Sequence, residues 1–457
     1  MIHYNSSRQI TPDEFKTEFE LNLDHKNRWV ILGMRMPWDD LVHPYIKRMS
    51  IDKGAGAVNP RIVIGSLYIK HRLNLSDEET IQQIRENPYM QYFLGLNSYH
   101  PEPLFDSSLF VEIRKRMGFE EYDKMDVVIR KKAMEEDEKK DKKKKSAVIK
   151  NRGELKIDAT VADQYIKFPT DLDLLSQCRV WTETIIDEIF PQTLLEKKPR
   201  TYRQEARQRY LKVVKKKKRT VKEVEKAKKQ QLNYIKRNLK HIDELLDMFE
   251  KDAFPLCHKS QRYMWVVREV YRQQLEMYTN KVNRCDDRIV SLHQPHVRPI
   301  VRGKQKTPVE FGSKLSVGLD NGFTRVERLS WDAFNECADL PSQVEAYKSI
   351  HGYYPEVVQA DKIYFTKVNR KWLEERKIRI TGVPQGRHPK EKESYYQKKK
   401  KKKESNRRNQ IEGKFGQGKN AYGLNKIKAR LKETSESWVC GIFFAMNVIH
   451  YYSKYCC

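Results

Sequence analysis

Two stretches of this chain, GELKIDATVA (153–162) and PVEFGSKLSVGLDNGFTRVERLSW (308–331), alternate apolar with polar residues, and the residues between them do not. In the first, Leu155, Ile157, Ala159 and Val161 take every second place, the period of a strand with one buried face. The second holds two such runs around Asp320-Asn321-Gly322, and Asn-Gly is the strongest short hairpin signal. In between, apolar residues recur every three or four places. Leu174, Cys178, Trp181, Ile185 and Ile189 do so, as do Leu232, Ile235, Leu239, Ile242, Leu246 and Phe249, and then Val267, Tyr271, Leu275 and Tyr278. That spacing is helical. One sheet must therefore close across a long helical excursion, which makes the class α/β with a large helical insertion after the first strand.

The rest of the chain fits around this frame. PEVVQAD (355–361) is an apolar run ending in an acid, VNRKWLEERK (368–377) is helical, IRITGVP (378–384) is strand-like, and the last helices run from about 405 to 452. Residues 1–120 read as all-helical. Pro60 opens one helix, Ser76 and Glu79 stand in capping-box spacing at the start of another, and Gly118 closes the region. Its basic residues Arg61, Lys70, Arg72 and Arg114 to Arg116 fit a DNA-binding head of helix-turn-helix type, with a helical docking or dimerisation domain as the alternative. The segment 121–152 is charged, densely so from 129, and reads as a linker. The expected organisation is an N-terminal domain over 1–120, that linker, and a catalytic domain over 153–452 with 171–290 as a basic helical insertion.

Charge then narrows the partners. Lys and Arg number 90 against 62 Asp and Glu, a net charge of +28, which points to a polyanion and foremost to nucleic acid. A membrane fits less well. The longest apolar run, WVCGIFFAMNVI (438–449), is short of the roughly 18–20 residues a spanning helix needs and is interrupted by Asn447. The N-terminus lacks the pattern of a secretory signal. Seven scattered cysteines without a CxxC pair argue against a thiolate zinc site or a disulfide framework and suit a reducing cytoplasm.

Three acids stand out by position: Asp158 in the first strand, Asp361 at the end of a later strand, and Glu412 in the final helical segment. Carboxylates brought together repel unless a cation neutralises them, and hard divalent cations take oxygen ligands. Arg408 and Lys419 return to the same helical face as Glu412. An exposed helix with ordinary i,i+4 charge pairing is the plainer reading. Against it stand glycines at 413, 416 and 418, each costing a helix about 1 kcal/mol, which would let a phosphate backbone come close.

At these residues the sequence resembles the DDE transposases of bacterial insertion sequences, most nearly those with an InsH-type helical N-terminal region (the IS-five and IS-eleven-eighty-two groups). LNLSDEETIQQIRENPYMQYFLGL with FDSSLFVEIRKRMG is similar to the family's N-terminal region. KIDATVADQYIKFPTDLDLL resembles its first-Asp segment, ADKIYFTKVNRKWLEERKIRITG its second-Asp segment, and RNQIEGKFGQGKNAYGLNKIKARL its Glu segment. The resemblance implies an RNase H-like catalytic core. It places the catalytic, metal-binding acids at Asp158, Asp361 and Glu412, with Arg408, Lys419 and Lys414 on DNA phosphates. Ser405 stands where the family has a tyrosine. Two Mg²⁺ ions, with Mn²⁺ as the substitute, are the implied cofactors. The implied activity is cutting at the element's terminal inverted repeats and joining the 3′-hydroxyl to target DNA. The implied setting is a homodimer in the synaptic complex, in the bacterial cytoplasm at the nucleoid. An RNase H-like nuclease without strand transfer and a non-catalytic DNA-binding regulator are the alternatives.

Other candidates have plainer readings. Asp171 and Asp173 suit a helix N-terminus, Asp320 the hairpin, and Trp181, Trp265 and Trp372 a core. His293 and His296 are separated by a proline that disfavours a helical metal pair. The lysine runs at 214–218 and 398–403 suit phosphate contacts that do not read sequence.

Overall fold

The computed structural model describes residues 10–11, 14–16, 22–49, 56–140, 151–249, 254–301, 309–381 and 394–456. They form two compact units, Met1–Asp163 with Lys314–Cys457, and Gln164–Ser313. In chain order the first unit begins with α1 (Arg28–Arg35), α2 (Trp38–Ile46), α3 (Pro60–Leu73), α4 (Asp77–Glu86), α5 (Pro88–Phe93), α6 (Leu109–Arg116) and α7 (Phe119–Lys140), then β1 (Glu154–Asp163). The second holds α8 (Asp171–Ile189), α9 (Arg203–Val214), α10 (Val221–Leu246), α11 (His258–Asn280) and β2 (Arg298–Val301). β3 (Val309–Asp320) leads back into the first unit, followed by β4 (Phe323–Ser330), α12 (Leu340–His351), β5 (Val357–Gln359), α13 (Lys367–Glu375), β6 (Arg379–Thr381), α14 (Tyr395–Ala421) and α15 (Lys432–Tyr455).

Local chemistry sets the short N-terminal helices. Asn59 accepts from Arg61 N at 2.9 Å ahead of Pro60 in α3, Ser76 from Glu79 N at 3.1 Å in α4, and Asn87 from Met90 N at 3.2 Å ahead of Pro88 in α5. Each cap satisfies an amide the helix itself leaves open. The helices bury Trp29, Leu41, Val63, Leu67, Phe93 and Phe110 in one core, together with Cys440, Phe444, Val448 and Tyr451 of α15. The expected linker is different in its first part. α7 spans Phe119–Lys140 and buries Tyr122, Met125, Ile129 and Ala133 in that same core, at spacings of three and four. Residues 141–150 of it lie outside the described residues.

Three of the six basic residues read as a DNA-facing set are placed differently, while Lys115 is exposed and Arg72 and Arg116 are half-buried. Arg61, Lys70 and Arg114 are buried. The Arg61 guanidinium donates to Phe93 O at 2.8 Å and lies over Trp38. Lys70 Nζ sits 2.9 Å from Asp77 and 4.4 Å over the Trp438 ring, and Arg114 makes a two-pronged contact to Asp77 at 2.8 and 2.7 Å. Burial pushes the Lys70 ammonium down to about 8, against the opposing pull of Asp77. None of these three charges is available to a phosphate.

In the first unit the sheet runs β4-β3-β1-β5-β6. β1, β5 and β6 are parallel, with Glu154 opposite Val357 and Val357 opposite Arg379. β3 and β4 form the antiparallel hairpin expected at 320–322, closing at Asp320 opposite Phe323, with Asn321 and Gly322 at φ 45° and 88°. Positive φ at both positions is why Asn-Gly serves there. One face of the sheet packs Leu155, Ile157, Val358 and Ala360 on Leu340, Val344 and Tyr347 of α12. The other packs Ala162, Leu315, Val317 and Leu319 on Ile411 and Phe415 of α14 and Val439, Ile442 and Phe443 of α15.

The second unit contains the helical insertion and extends further than 171–290. Leu175, Ile185, Ile189, Ile235, Ile242 and Val267 build its core from α8, α10 and α11, and β2 pairs with Val309–Gly312. Thr170 caps α8, accepting from Asp173 N at 3.2 Å, while Asp171 pairs with Lys228 and Arg288, each at 2.6 Å. His293 Nδ1 meets Tyr263 Oη at 2.5 Å, and Trp181 stacks on Tyr263 at 3.7 Å. Trp265, expected in a core, is 66% exposed. No helix among the described residues is long and apolar enough to cross a membrane.

Candidate active site

Alternation along β1 decides where Asp158 points. Leu155 and Ile157 belong to the α12 face, so Asp158, one place on from Ile157, belongs to the face covered by α14. The parallel ladder then places Asp361. Its last pair is Lys156 opposite Gln359, and the residues two further along each strand are Asp158 and Asp361. At Asp361 the backbone is still extended (φ −72°, ψ 162°). The two aspartates thus hold equivalent places on adjacent strands, which lie about 4.8 Å apart.

Ion pairs hold α14 along β1. Arg407 pairs with Glu154 near the start of the strand, and Lys419 Nζ lies 3.6 Å from Asp163 at its end. A third pair, Arg379 to Glu404 at 2.6 Å, ties the helix to β6. Glu412 falls a little before midway between the two helix anchors, as Asp158 does between their strand partners. The electrostatics agree. Burial pushes the Asp158 carboxyl up to about 6. The Ala159 N–H and the Arg408 guanidinium work against that, and the charges of Glu336 and Glu412 add to it.

Each acid is engaged locally. Asp158 Oδ1 accepts from Ala159 N at 2.8 Å, Asp361 Oδ1 from Lys362 N at 2.7 Å, and Glu412 Oε1 from Arg408 Nη2 at 3.3 Å. Among the described residues no three His, Cys, Asp or Glu side chains stand close enough together to hold a metal ion. The donor set, three carboxylates on adjoining elements of one face, is nevertheless the hard-oxygen kind that Mg²⁺ takes. To converge on an ion, Asp158 and Asp361 would each turn from a neighbouring N–H and Glu412 from Arg408.

Of the expected phosphate contacts, Arg408 and Lys419 flank Glu412, each with its acid. Lys414, two residues from Glu412, comes out on the far side of the helix. It is half-buried, and burial lowers its ammonium. The three glycines separate as well. A Cβ at Gly413 or Gly416 would meet open space, whereas at Gly418 it would come 3.3 Å from Leu424. The side chain of Ser405 lies outside the described residues.

Glu336 is an acid that sequence reasoning missed. It opens a short 3-10 turn after the hairpin, and Lys314 of β3 holds it at 2.8 Å. Asn369 of α13 donates to Cys337 O at 2.8 Å and to Tyr364 O at 2.7 Å, which joins this turn to the one that Asp361 begins. In the sequence it is one loop acid among many.

Comparisons with known proteins agree at both ends of the chain. Residues 358–449 match the family described as "Transposase DDE domain", and residues 17–116 match "Transposase domain (DUF772)". A Rhizobium meliloti protein named "Uncharacterized protein ORF8 in nfe locus" is 26% identical over 162 residues, 35% of this chain and 72% of that protein. No solved structure matches. With a transposase domain matched at each end, the chain is similar to the bacterial insertion-sequence DDE transposases, the family that its four motifs resemble.

Proposed function

We propose that this protein is a DNA transposase with an RNase H-like core, which nicks the terminal inverted repeats of its element and joins the freed 3′-hydroxyl to target DNA. One observation carries the reading: α14 is pinned along β1 at both ends, so that Glu412 lies over the strand bearing Asp158, while Asp361 holds the matching place on β5. The mixed sheet with a helical insertion after β1 supports the core assignment, and the two transposase-domain matches support the activity.

Asp158, Asp361 and Glu412 would hold the divalent ions, whose chemistry when bound is to activate the attacking oxygen and to stabilise the leaving one. Half-burial keeps Asp158 in a site of low dielectric, where its charge acts strongly. Arg408 holds Glu412 until the acid is needed and then faces the incoming phosphate. The open flank at Gly413 and Gly416 leaves room for the backbone beside it. The duplex ends are brought together by a homodimer, in the bacterial cytoplasm at the nucleoid.

The test is incubation of the protein with Mg²⁺ and a duplex carrying the inverted repeats that flank its reading frame. Nicking at the repeat ends is expected, and Glu412→Gln is expected to lower it at least 10²-fold with the fold intact by circular dichroism, because an amide cannot supply the charged ligand. Undiminished nicking by Glu412→Gln would remove the mechanism. Supplying pre-cut 3′-hydroxyl ends with target DNA separates transposition from nuclease action, since only the former gives a joined product.

A further inference from the structure

Charge in the second unit is concentrated. Of its 33 Lys and Arg residues, 16 lie between 197 and 229 with only three acids, and the remaining 17 face 16 acids. Of the three acids, Glu205 pairs with Arg209 and Glu223 with Lys216, which leaves Glu225 beside the α10 lysines. The turn residues Lys215, Lys217 and Lys218 and the α10 residues Lys222, Lys226 and Lys229 are all exposed, and no acid partners any of them among the described residues. Residues 222, 226 and 229 share one helical stripe, about 10 Å long at 1.5 Å per residue.

The helices have firm support underneath. The Thr220–Glu223 capping box starts α10, Ala227, Leu232 and Ile235 bury its other face, and Lys228 is braced on Asp171 at 2.6 Å. The exposed lysines therefore stand on an ordered surface and repel one another, with Glu225 on the same side of the helix offsetting only part of their charge. Such a surface is stabilised by a polyanion.

From this we infer that the turn after α9 and the first two turns of α10 form a second DNA-binding surface, one that grips the phosphate backbone of duplex DNA without reading its sequence. It rests on the proposed function for the identity of the polyanion. An anionic membrane is the other polyanion of suitable charge. Binding one through a helix requires an apolar stripe alongside the cations, and between 203 and 229 the exposed large apolar residue is Val221. Duplex DNA carries one charge per about 1.7 Å of axis, so a 10 Å stripe spans several phosphates.

The experiment measures the affinity of the full-length protein for a 30-base-pair duplex of arbitrary sequence as KCl is varied. For the variant Lys222→Gln/Lys226→Gln/Lys229→Gln, each lost phosphate contact should remove about 0.9 from the slope of log K against log salt. The slope should fall by about 2.7, and binding at 0.1 M salt should weaken on the order of 10²-fold. Preference for the element's ends over arbitrary duplex should stay within about twofold, since the contacts carry no sequence information. An unchanged slope overturns the inference. So does a loss confined to phosphatidylserine vesicles, which would assign the surface to membranes. If that variant does not show the parent's thermal transition, Lys215→Gln/Lys217→Gln/Lys218→Gln in the turn takes its place: a reduced slope supports the surface and an unchanged one overturns it. The catalytic reading fails separately. A reduced slope in a protein that never nicks repeat ends keeps this surface and removes the transposase mechanism, and an unchanged slope in a protein that nicks does the reverse.

Discussion

Asp158 answers to two opposed demands. Folding half-buries its carboxyl beside the like charges of Glu336 and Glu412, while the proposed chemistry needs it ionised. The consequence is a stability that depends on pH, with a definite sign. The folded-state pKa is raised to about 6 from an unfolded value near 3.9, so the folded state binds the extra proton, and stability falls as pH climbs between those values. Above about 6 the full penalty is present, and below about 4 it is absent. Two pKa units would represent about 3 kcal/mol, and solvent at this partly exposed group reduces that to about 1–2. Asp158→Asn is therefore expected to stabilise the fold by about that amount at pH 7.5 and by little at pH 4, while abolishing nicking. Urea unfolding at the two pH values checks it, and an equal change at both would show that the charge is not strained. Asp158 is legible in the sequence because it is the acid on the alternating positions between Leu155, Ile157, Ala159 and Val161. Glu336 is not, because its contact with Lys314 joins a loop to a strand and leaves no periodic trace.

At the scale of elements, α14 is held by more than its helix propensity. Three glycines so close together argue against a plain solvent-facing helix, yet the helix runs unbroken from Tyr395 to Ala421. Ion pairs to Glu154, Asp163 and β6, with Ile411 and Phe415 buried beneath, hold it where propensity alone would not. Gly418 is used for packing on Leu424, and only Gly413 and Gly416 face open space. Replacing both by Ala should stabilise the protein by about 1–2 kcal/mol, since neither Cβ meets anything and Ala restricts the unfolded chain. If these positions serve close approach of a phosphate backbone, the same variant should bind repeat-end DNA at least 10-fold more weakly. A stabilised variant with unchanged DNA affinity would assign the glycines no such role. α15 carries a related lesson. Asn447 interrupts its apolar run because it accepts from Thr324 N at 2.8 Å and donates to Thr324 O at 2.7 Å and Asp126 at 3.0 Å, a network linking helix, hairpin and α7. The sequence marks the interruption, but its two partners, Thr324 and Asp126, are remote in the chain.

Across the whole molecule, one core runs past the division expected near residue 120. Charge dominates 129–150, and dense charge usually means a solvated connector, so the sequence suggests a boundary there. The four buried apolar positions of α7, Tyr122, Met125, Ile129 and Ala133, are themselves helically spaced, but half of them precede the charged run that hides the pattern. They and α1 to α6 share a core with Cys440, Phe444, Ala445, Val448 and Tyr451 of α15, the helix that also covers the sheet beside α14. Losing the N-terminal helices would expose all five of these side chains. At about 1–2 kcal/mol for each buried apolar side chain the loss approaches 5–10 kcal/mol, as large as the net stability of an ordinary domain. The buried Lys70–Asp77–Arg114 cluster sits on Trp438 of the same helix, so polar contacts add to that figure. A chain limited to residues 151–457 is therefore expected to lack a cooperative thermal transition, to bind a hydrophobic dye and to aggregate, although it retains Asp158, Asp361 and Glu412. A fragment of that length that elutes as a monomer and unfolds in one sharp transition would show that the N-terminal helices are a separable domain after all. Nicking by such a fragment would further show that they do not help to position the helix following Glu412.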